Sequence, residues 1–448
     1  MTRARATGLA AIALLAPAAA AEAGPPGSWT RVTPAGQPVQ RTLDPGLART
    51  PDGALQLLWP RQAGSAGSVM HSSLSADARR LSAPRQVAGY EAVNDSVALV
   101  ATGGGLRAFF AGLQPGGPLD RVMAAASFER GSWSAPSPAS NPDSGLTPYA
   151  AAGIAAGVRP DGTPVSAWGS PGAGFHFGLD PGAPDGTFTG GGATGPGVGV
   201  DSASGQVIVA WNVLETGAVS AVQVGPIGPR STAPGPRVAE PQHRMAVSGR
   251  IGAPGVFVAY LSGGNQFTAR PALWRFGSRR ARLVSSVGGA RDVSLTPAPG
   301  GRLWVFWHRD GRMYATRSDP GARRFGSLVS LASRRGTVAI DDLAGEGSRG
   351  PLDLVALLNR PRAGAVLWHQ RVLPALTLAR ARAGRGRVTL RVSDAGVPVP
   401  GARVRVGGAR GRRSSQRGTA SFRLARGAYK ASAVKAGYAP ASLRLRVR

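Results

Sequence analysis

One spacing constrains this chain more than any other: a glycine followed six residues later by a large aromatic. Its clearest copy is Gly301 to Trp307, read Gly-Arg-Leu-Trp-Val-Phe-Trp. The spacing recurs at Gly53 and Trp59, Gly104 and Phe110, Gly162 and Trp168, and Gly205 and Trp211, and weaker copies end at Tyr260 and Leu358. The terminal positions lie 51, 58, 43, 49, 47 and 51 residues apart. Self-similarity at a period of roughly 40–60 residues marks a repeat architecture, in which each unit buries its apolar face only against its neighbours. Within a unit the glycine opens a turn and the residues after it alternate, which is the period of a half-buried strand.

Each unit reads as four short strands, so the chain is all-β and the repeats are the blades of a propeller. First strands are rich in small and β-branched residues, as at 96–101 and 292–296. They suit the inner edge, where a blade narrows toward the central channel. Seven terminal positions give seven blades. A six-bladed alternative stays open, because the glycine-rich stretch 190–199 blurs the third unit. The last unit ends after its third strand, at 365–369. Its fourth strand has a candidate near the other end of the chain, where Gly27-Ser28-Trp29 repeats the Gly131-Ser132-Trp133 of an outer strand. Residues 27–32 are therefore expected to complete the blade that holds Trp368, closing an open edge.

There are no cysteines among 448 residues, which excludes disulfides, thiolate metal sites and a cysteine nucleophile. A basic start (Arg3, Arg5), an apolar run at 9–16 and Ala21-Glu22-Ala23 read as a secretory signal peptide over 1–23. The run is too short to span a bilayer, and no second long one follows, so an exported protein without a transmembrane anchor is expected. The net charge is +30, and all but two of the 53 basic residues are arginine. Such a bias also follows from a GC-rich coding sequence. Residues 375–448 hold 18 basic residues and one acid, Asp394, so a sixth of the chain carries more than half of its net charge.

The Gly-x-Trp-Ser-x-Pro outer strand at 131–136, with the Gly-to-Trp second strands, resembles sialidase-like propellers of the Asp-box type over 24–374. The Asp box itself, Ser-x-Asp-x-Gly-x-x-Trp, is absent; Asp201-Ser-Ala-Ser-Gly205 is a loose echo. Beyond Pro374 the repeat stops, and 387–392, 402–406 and 442–448 alternate arginine with apolar residues, the pattern of strands with one wet face. The cues at 394–402, at 418–422, and at Gly427, Tyr429, Gly437 and Tyr438 resemble a carboxypeptidase-regulatory-like domain. That resemblance implies a transthyretin-like, immunoglobulin-like β-sandwich over 375–448, an accessory module joined at a boundary with few crossing contacts.

Propeller ligands are expected over the channel, among loops joining one blade's outer strand to the next blade's inner strand. Those loops carry Tyr90, Glu91, Asp95, Tyr149, His243, Arg244, Arg291 and Asp292 as ligand-binding candidates; ordinary solvated loop residues would read the same way. The sialidase resemblance implies three arginines on a substrate carboxylate and a tyrosine nucleophile tuned by a glutamate. Tyr90 and Glu91 are adjacent and so point to opposite faces of a strand, and the family's Arg-Ile-Pro motif is missing. These residues lean away from catalysis. The five histidines are scattered, so neither a metal nor a cofactor is expected, and there is no phosphate loop or DNA-binding fold. Two functions remain. The first is a secreted non-catalytic binding or adhesion protein. Its propeller takes a glycan or protein ligand, and its sandwich meets anionic cell-surface polymer through Arg387, Arg391, Arg403, Arg405, Arg444, Arg446 and Arg448. The alternative is a divergent sialidase-like glycoside hydrolase with an accessory module.

Overall fold

The structure is a computed structural model describing residues 21–22, 27–34, 39, 44–64, 66–93, 96–113, 122–138, 152–170, 174–179, 186–188, 193–213, 216–235, 244–360, 364–384 and 386–447. Among these residues there is no helix; they are all-β, built of antiparallel sheets in most of which a strand lies beside its chain neighbour. The repeat glycines Gly53, Gly162, Gly205 and Gly301 sit at φ of 89°, 88°, 72° and 73°. A side chain there would be strained, which is why the unit opens on glycine.

Seven sheets lead the chain as far as Val372. Their innermost strands are Gly46–Arg49, Ala98–Thr102, Ala152–Val158, Ala193–Val200, Ala246–Arg250, Arg291–Ala298 and Ala339–Glu346. Each innermost strand neighbours the next, and the last neighbours the first. The repeat aromatics explain this ring. Phe110 packs with Leu58 and Val69 of the sheet before it, Trp168 with Phe109 and Met123, and Trp211 with Val165 and Phe175. Tyr260, Trp307 and Leu358 do the same one sheet further on each time. Trp59 of the first sheet packs on Val355, Leu357 and Leu367 of the seventh, which closes the circle. A buried aromatic of this kind is worth about 3–5 kcal/mol against alanine.

Closure is also made by hydrogen bonds. Thr30–Arg31 pairs antiparallel with Gly364–Val372, Thr30 opposite His369 and Arg31 opposite Trp368. Val32 N donates to Leu367 O at 2.9 Å, extending the pairing expected for 27–32. The glycine-rich stretch that obscures the repeat contains the innermost strand of the fourth sheet. A Cβ on Gly197 would lie 2.0 Å from Met245 O, so glycine is required where two innermost strands touch backbone to backbone.

Residues 376–447 form two four-stranded sheets around one apolar core that includes Val388, Leu390, Val404, Val406, Phe422, Ala431, Leu445 and Val447. The alternation holds residue by residue: Arg387, Arg391, Arg403, Arg405, Arg444 and Arg446 are exposed, and the apolar residues between them are buried. The junction with the sixth sheet is made by a few specific side chains. Asp394 is 1% exposed and accepts hydrogen bonds from Arg317, with Arg302 at 3.4 Å. The Arg317 guanidinium lies between the rings of Trp304 and Tyr438, 5.8 and 5.7 Å away, and Ser327 Oγ meets Thr377 Oγ1 at 2.7 Å. The module's one acid thus lies in a desolvated ion pair across the boundary.

Candidate functional site

The seven innermost strands surround a cavity of about 550 Å³. Its walls are apolar and small, with Leu47, Ala98, Val100, Ala156, Val198 and Ala344 among them; its two ends are polar.

One end is formed where the innermost strands begin. Arg244 reaches from the fifth sheet across the opening, its guanidinium 3.4 Å from Val97 O, 3.5 Å from Ile154 O and 3.5 Å from Pro45 O. Beside it lie Asp44, Asp292 and Asp342. Asp292 Oδ2 and Asp342 Oδ1 accept from the same amide, Leu343 N, at 2.9 and 2.6 Å. Asp342 Oδ2 is buried and accepts no hydrogen bond from a described residue. Burial first, and then the charges of Asp44 and Asp292, push the Asp342 carboxyl well above the usual carboxylate range, with Arg244 opposing. The mouth therefore offers a proton-retaining carboxyl, an anionic neighbour and a guanidinium, a set suited to hydroxyl groups.

The other end holds Arg49, Glu346, Ser202, Arg250 and Ser348. Arg49 of the first sheet pairs with Glu346 and Asp353 of the seventh. Asp353 also accepts from His369 Nε2 at 2.9 Å and from Arg371 Nε and Nη2 at 2.9 and 3.0 Å. Burial raises the Asp353 carboxyl, but the His369 and Arg371 hydrogen bonds and charges outweigh it and hold it well below its ordinary value. This network lies on the seam where the ring closes and serves the fold.

The residues expected over the channel separate. Arg244 and Asp292 line the cavity together. Tyr90 does not reach the rim. It is 5% exposed, its ring packs on Phe110, and a Cβ on Gly112 would fall 2.4 Å from that ring. Burial pushes its phenol up to about 12. Glu91 is exposed, and its carbonyl accepts from Gln62 Nε2 at 3.0 Å. Arg291 is exposed and donates to Gln266 Oε1 at 3.0 Å. Asp95, Tyr149, His243 and Arg448 lie outside the described residues. Among the described residues no group of three or more His, Asp or Glu could hold a metal ion.

Asp44 and Asp342 escape a reading of the sequence alone. For Asp292 the structure adds a reason: the innermost strands of the third, fourth, sixth and seventh sheets each carry a bulge near their start. In the third and fourth it holds Gly153 and Gly195 at φ of 70° and 56°, whereas in the sixth it holds Asp292 at 44°. An aspartate where the repeat takes glycine in the left-handed region marks a position kept for its side chain.

No family model matches the chain, and no curated protein matches it in sequence. Its backbone is similar to solved structures at low identity. An ulvan lyase of polysaccharide lyase family PL25 is 9% identical, with a TM-score of 0.46 over 78% of this chain and 94% of that one. A mutant of Aleuria aurantia lectin in complex with Fucalpha1-6GlcNAc is 9% identical, with a TM-score of 0.40 over 74% and 93%. A puromycin-hydrolyzing peptidase of Mycobacterium tuberculosis is 13% identical, with a TM-score of 0.43 over 83% of this chain and 61% of the peptidase.

Proposed function

We propose that this chain is a secreted, non-catalytic binding protein. Its ring is a seven-bladed propeller, of the sialidase-like type without that family's catalytic set, and takes a glycan at the Arg244 end of the channel. The C-terminal module is a carboxypeptidase-regulatory-like sandwich that associates with anionic cell-surface polymer. The observation that carries the glycan reading is the polar mouth of the cavity, where Arg244, Asp44 and Asp292 gather around the buried Asp342 carboxyl. Sugar hydroxyls both donate and accept, and Arg244 and Asp292 give matching donors and acceptors.

Binding is supported over sialidase-type hydrolysis by the place of Tyr90, the candidate nucleophile: it is buried, with its ring packed on Phe110, away from the channel mouth. Export rests on the leader at 1–23. Ala21–Glu22 pairs with Arg80–Leu81, and cleavage after Ala23 removes that short pairing while Leu81 stays paired with Leu74.

The test is a glycan array probed with the exported protein and with Asp342→Ala. Binding to a defined set of neutral glycans that weakens about tenfold in the variant is expected, the size of one lost buried hydrogen bond. An array on which the wild-type chain binds nothing above background overturns the reading.

A further inference from the structure

We infer that the module's anion recognition is concentrated in one cleft at an end of the sandwich, and that this cleft takes phosphate or sulfate esters carried on a thin polymer chain. The inference rests on the anionic-polymer reading above and gives it an address. The cleft, of about 640 Å³, is lined by Arg387 and Arg423 from one sheet and by Arg410 and Arg412 from the edge of the other, with Ser421 and Gly411 on its floor.

Three observations mark it. First, Arg387 and Arg423, both on its wall, stand directly opposite one another across neighbouring strands. Like charges in that register oppose folding unless something neutralises them. Second, the module offers no carboxylate: its one acid, Asp394, is buried in its ion pairs with Arg317 and Arg302. Third, Arg412 lies over the Phe422 ring at 5.9 Å, and both residues line the cleft.

The chemistry that answers this set is a tetrahedral oxyanion. Planar guanidinium forks grip two oxygens of a phosphate or sulfate at once, and Ser421 Oγ adds a hydroxyl donor. The cleft's volume admits one or two ester groups of a single extended chain. Binding releases condensed counterions and so weakens steeply with salt.

The experiment uses the full chain with inorganic polyphosphate and dextran sulfate as probes, and hyaluronate as a carboxylate comparison. Arg410→Gln/Arg412→Gln is set against Arg380→Gln/Arg417→Gln, an equal charge change at exposed module residues that do not line the cleft. Circular dichroism verifies that both variants are folded. The cleft variant should bind polyphosphate and dextran sulfate about tenfold more weakly and lower the salt slope by about two. The control variant should stay close to wild type, and hyaluronate should bind the wild-type chain more weakly than the two ester polymers. Equal losses in the two variants, or hyaluronate binding as tightly as the esters, overturn the cleft while leaving the anionic-polymer reading standing. A wild-type chain that binds none of the three polymers at low salt overturns that reading itself. A cleft variant that misfolds is replaced by the single change Arg423→Gln, judged by the same ratio.

Discussion

The ring and the C-terminal module use charge in opposite ways. In the ring, one set of ionisable side chains turns inward and is paired: Arg49 with Glu346 and Asp353, Asp353 with His369 and Arg371, Arg244 with three carbonyls. In the module they turn outward without acids to meet them, and the single carboxylate is buried at the junction. The contrast follows from the cores. A ring of sheets has a second interior, its channel, where polar groups can be held by neighbours from distant repeats. A two-sheet sandwich has one apolar interior, so the charges on its strands face water or, as with Asp394, the neighbouring ring. Buried charge therefore fixes the ring's shape and exposed charge sets the module's company.

Breaking the seam network gives the largest effect. Asp353→Ala removes the buried carboxylate that Arg49, His369 and Arg371 share and should cost about 3–5 kcal/mol, whereas Arg391→Ala on the module should change stability by less than about 0.5 kcal/mol. Denaturant unfolding of the two variants compares them. Equal effects would erase the distinction between the two regions.

Acid should act on the ring next. Burial, with a smaller contribution from Arg85, lowers His71 to about 4; burial and Arg291 lower His308 to about 4. Both start from 6.5 in the unfolded chain, which therefore takes up their protons first as the pH falls. Their contribution is complete above pH 6.5 and is lost between 6.5 and 4, roughly 3 kcal/mol for each histidine. The module contains no histidine, so none of this loss arises in it. A melting series from pH 7 to pH 4 reads the loss.

The junction comes third. Asp394→Asn takes the charge from the buried partner of Arg317 and should cost about 1–3 kcal/mol. It should also divide one calorimetric transition into two, as the module melts apart from the ring. A single unshifted transition would mean that the ion pair does not couple the two.

The smallest change is a gain. Asp342 holds its proton more tightly in the folded chain than in the unfolded one, so folding is favoured below the ordinary carboxylate range and disfavoured as the pH rises above it. Asp342→Asn should stabilise the ring at pH 7 by about 0.5–2 kcal/mol, and the gain should vanish near pH 4. A loss at pH 7 would mean that the carboxyl is ionised and needed.

How much of this was legible depended on the range over which each pattern acts. Arg403-Val404-Arg405-Val406 displays its alternation within four residues, so the module's wet and buried faces follow from a local period of two. The Gly-to-aromatic spacing acts within seven residues, and its repetition announces the ring; the pairing of 27–32 with the strand of Trp368 followed from an edge left unfilled. The cavity mouth offered no such cue. Asp44, Arg244, Asp292 and Asp342 lie up to 298 residues apart and converge only because the innermost strands begin at one end of a closed ring. Tyr90 misled for the converse reason. A tyrosine at a strand end reads as a rim residue until Gly112 on the neighbouring strand makes room for its ring. The ion pair across the boundary at Pro374 was not legible, because nothing in Asp394 announces a partner 77 positions away.

The account's central claim is that inward and outward charge serve two separate ligands. The most direct test is one salt titration of the full chain against two of them, inorganic polyphosphate and the neutral glycan with the strongest array signal. Polyphosphate affinity should fall linearly on a log–log plot against salt, by about 0.7 for each phosphate neutralised. Glycan affinity should stay level, because hydrogen bonds at the Asp342 mouth release no counterions. Two affinities that fall together with salt would contradict the account and place both ligands on a single cationic surface.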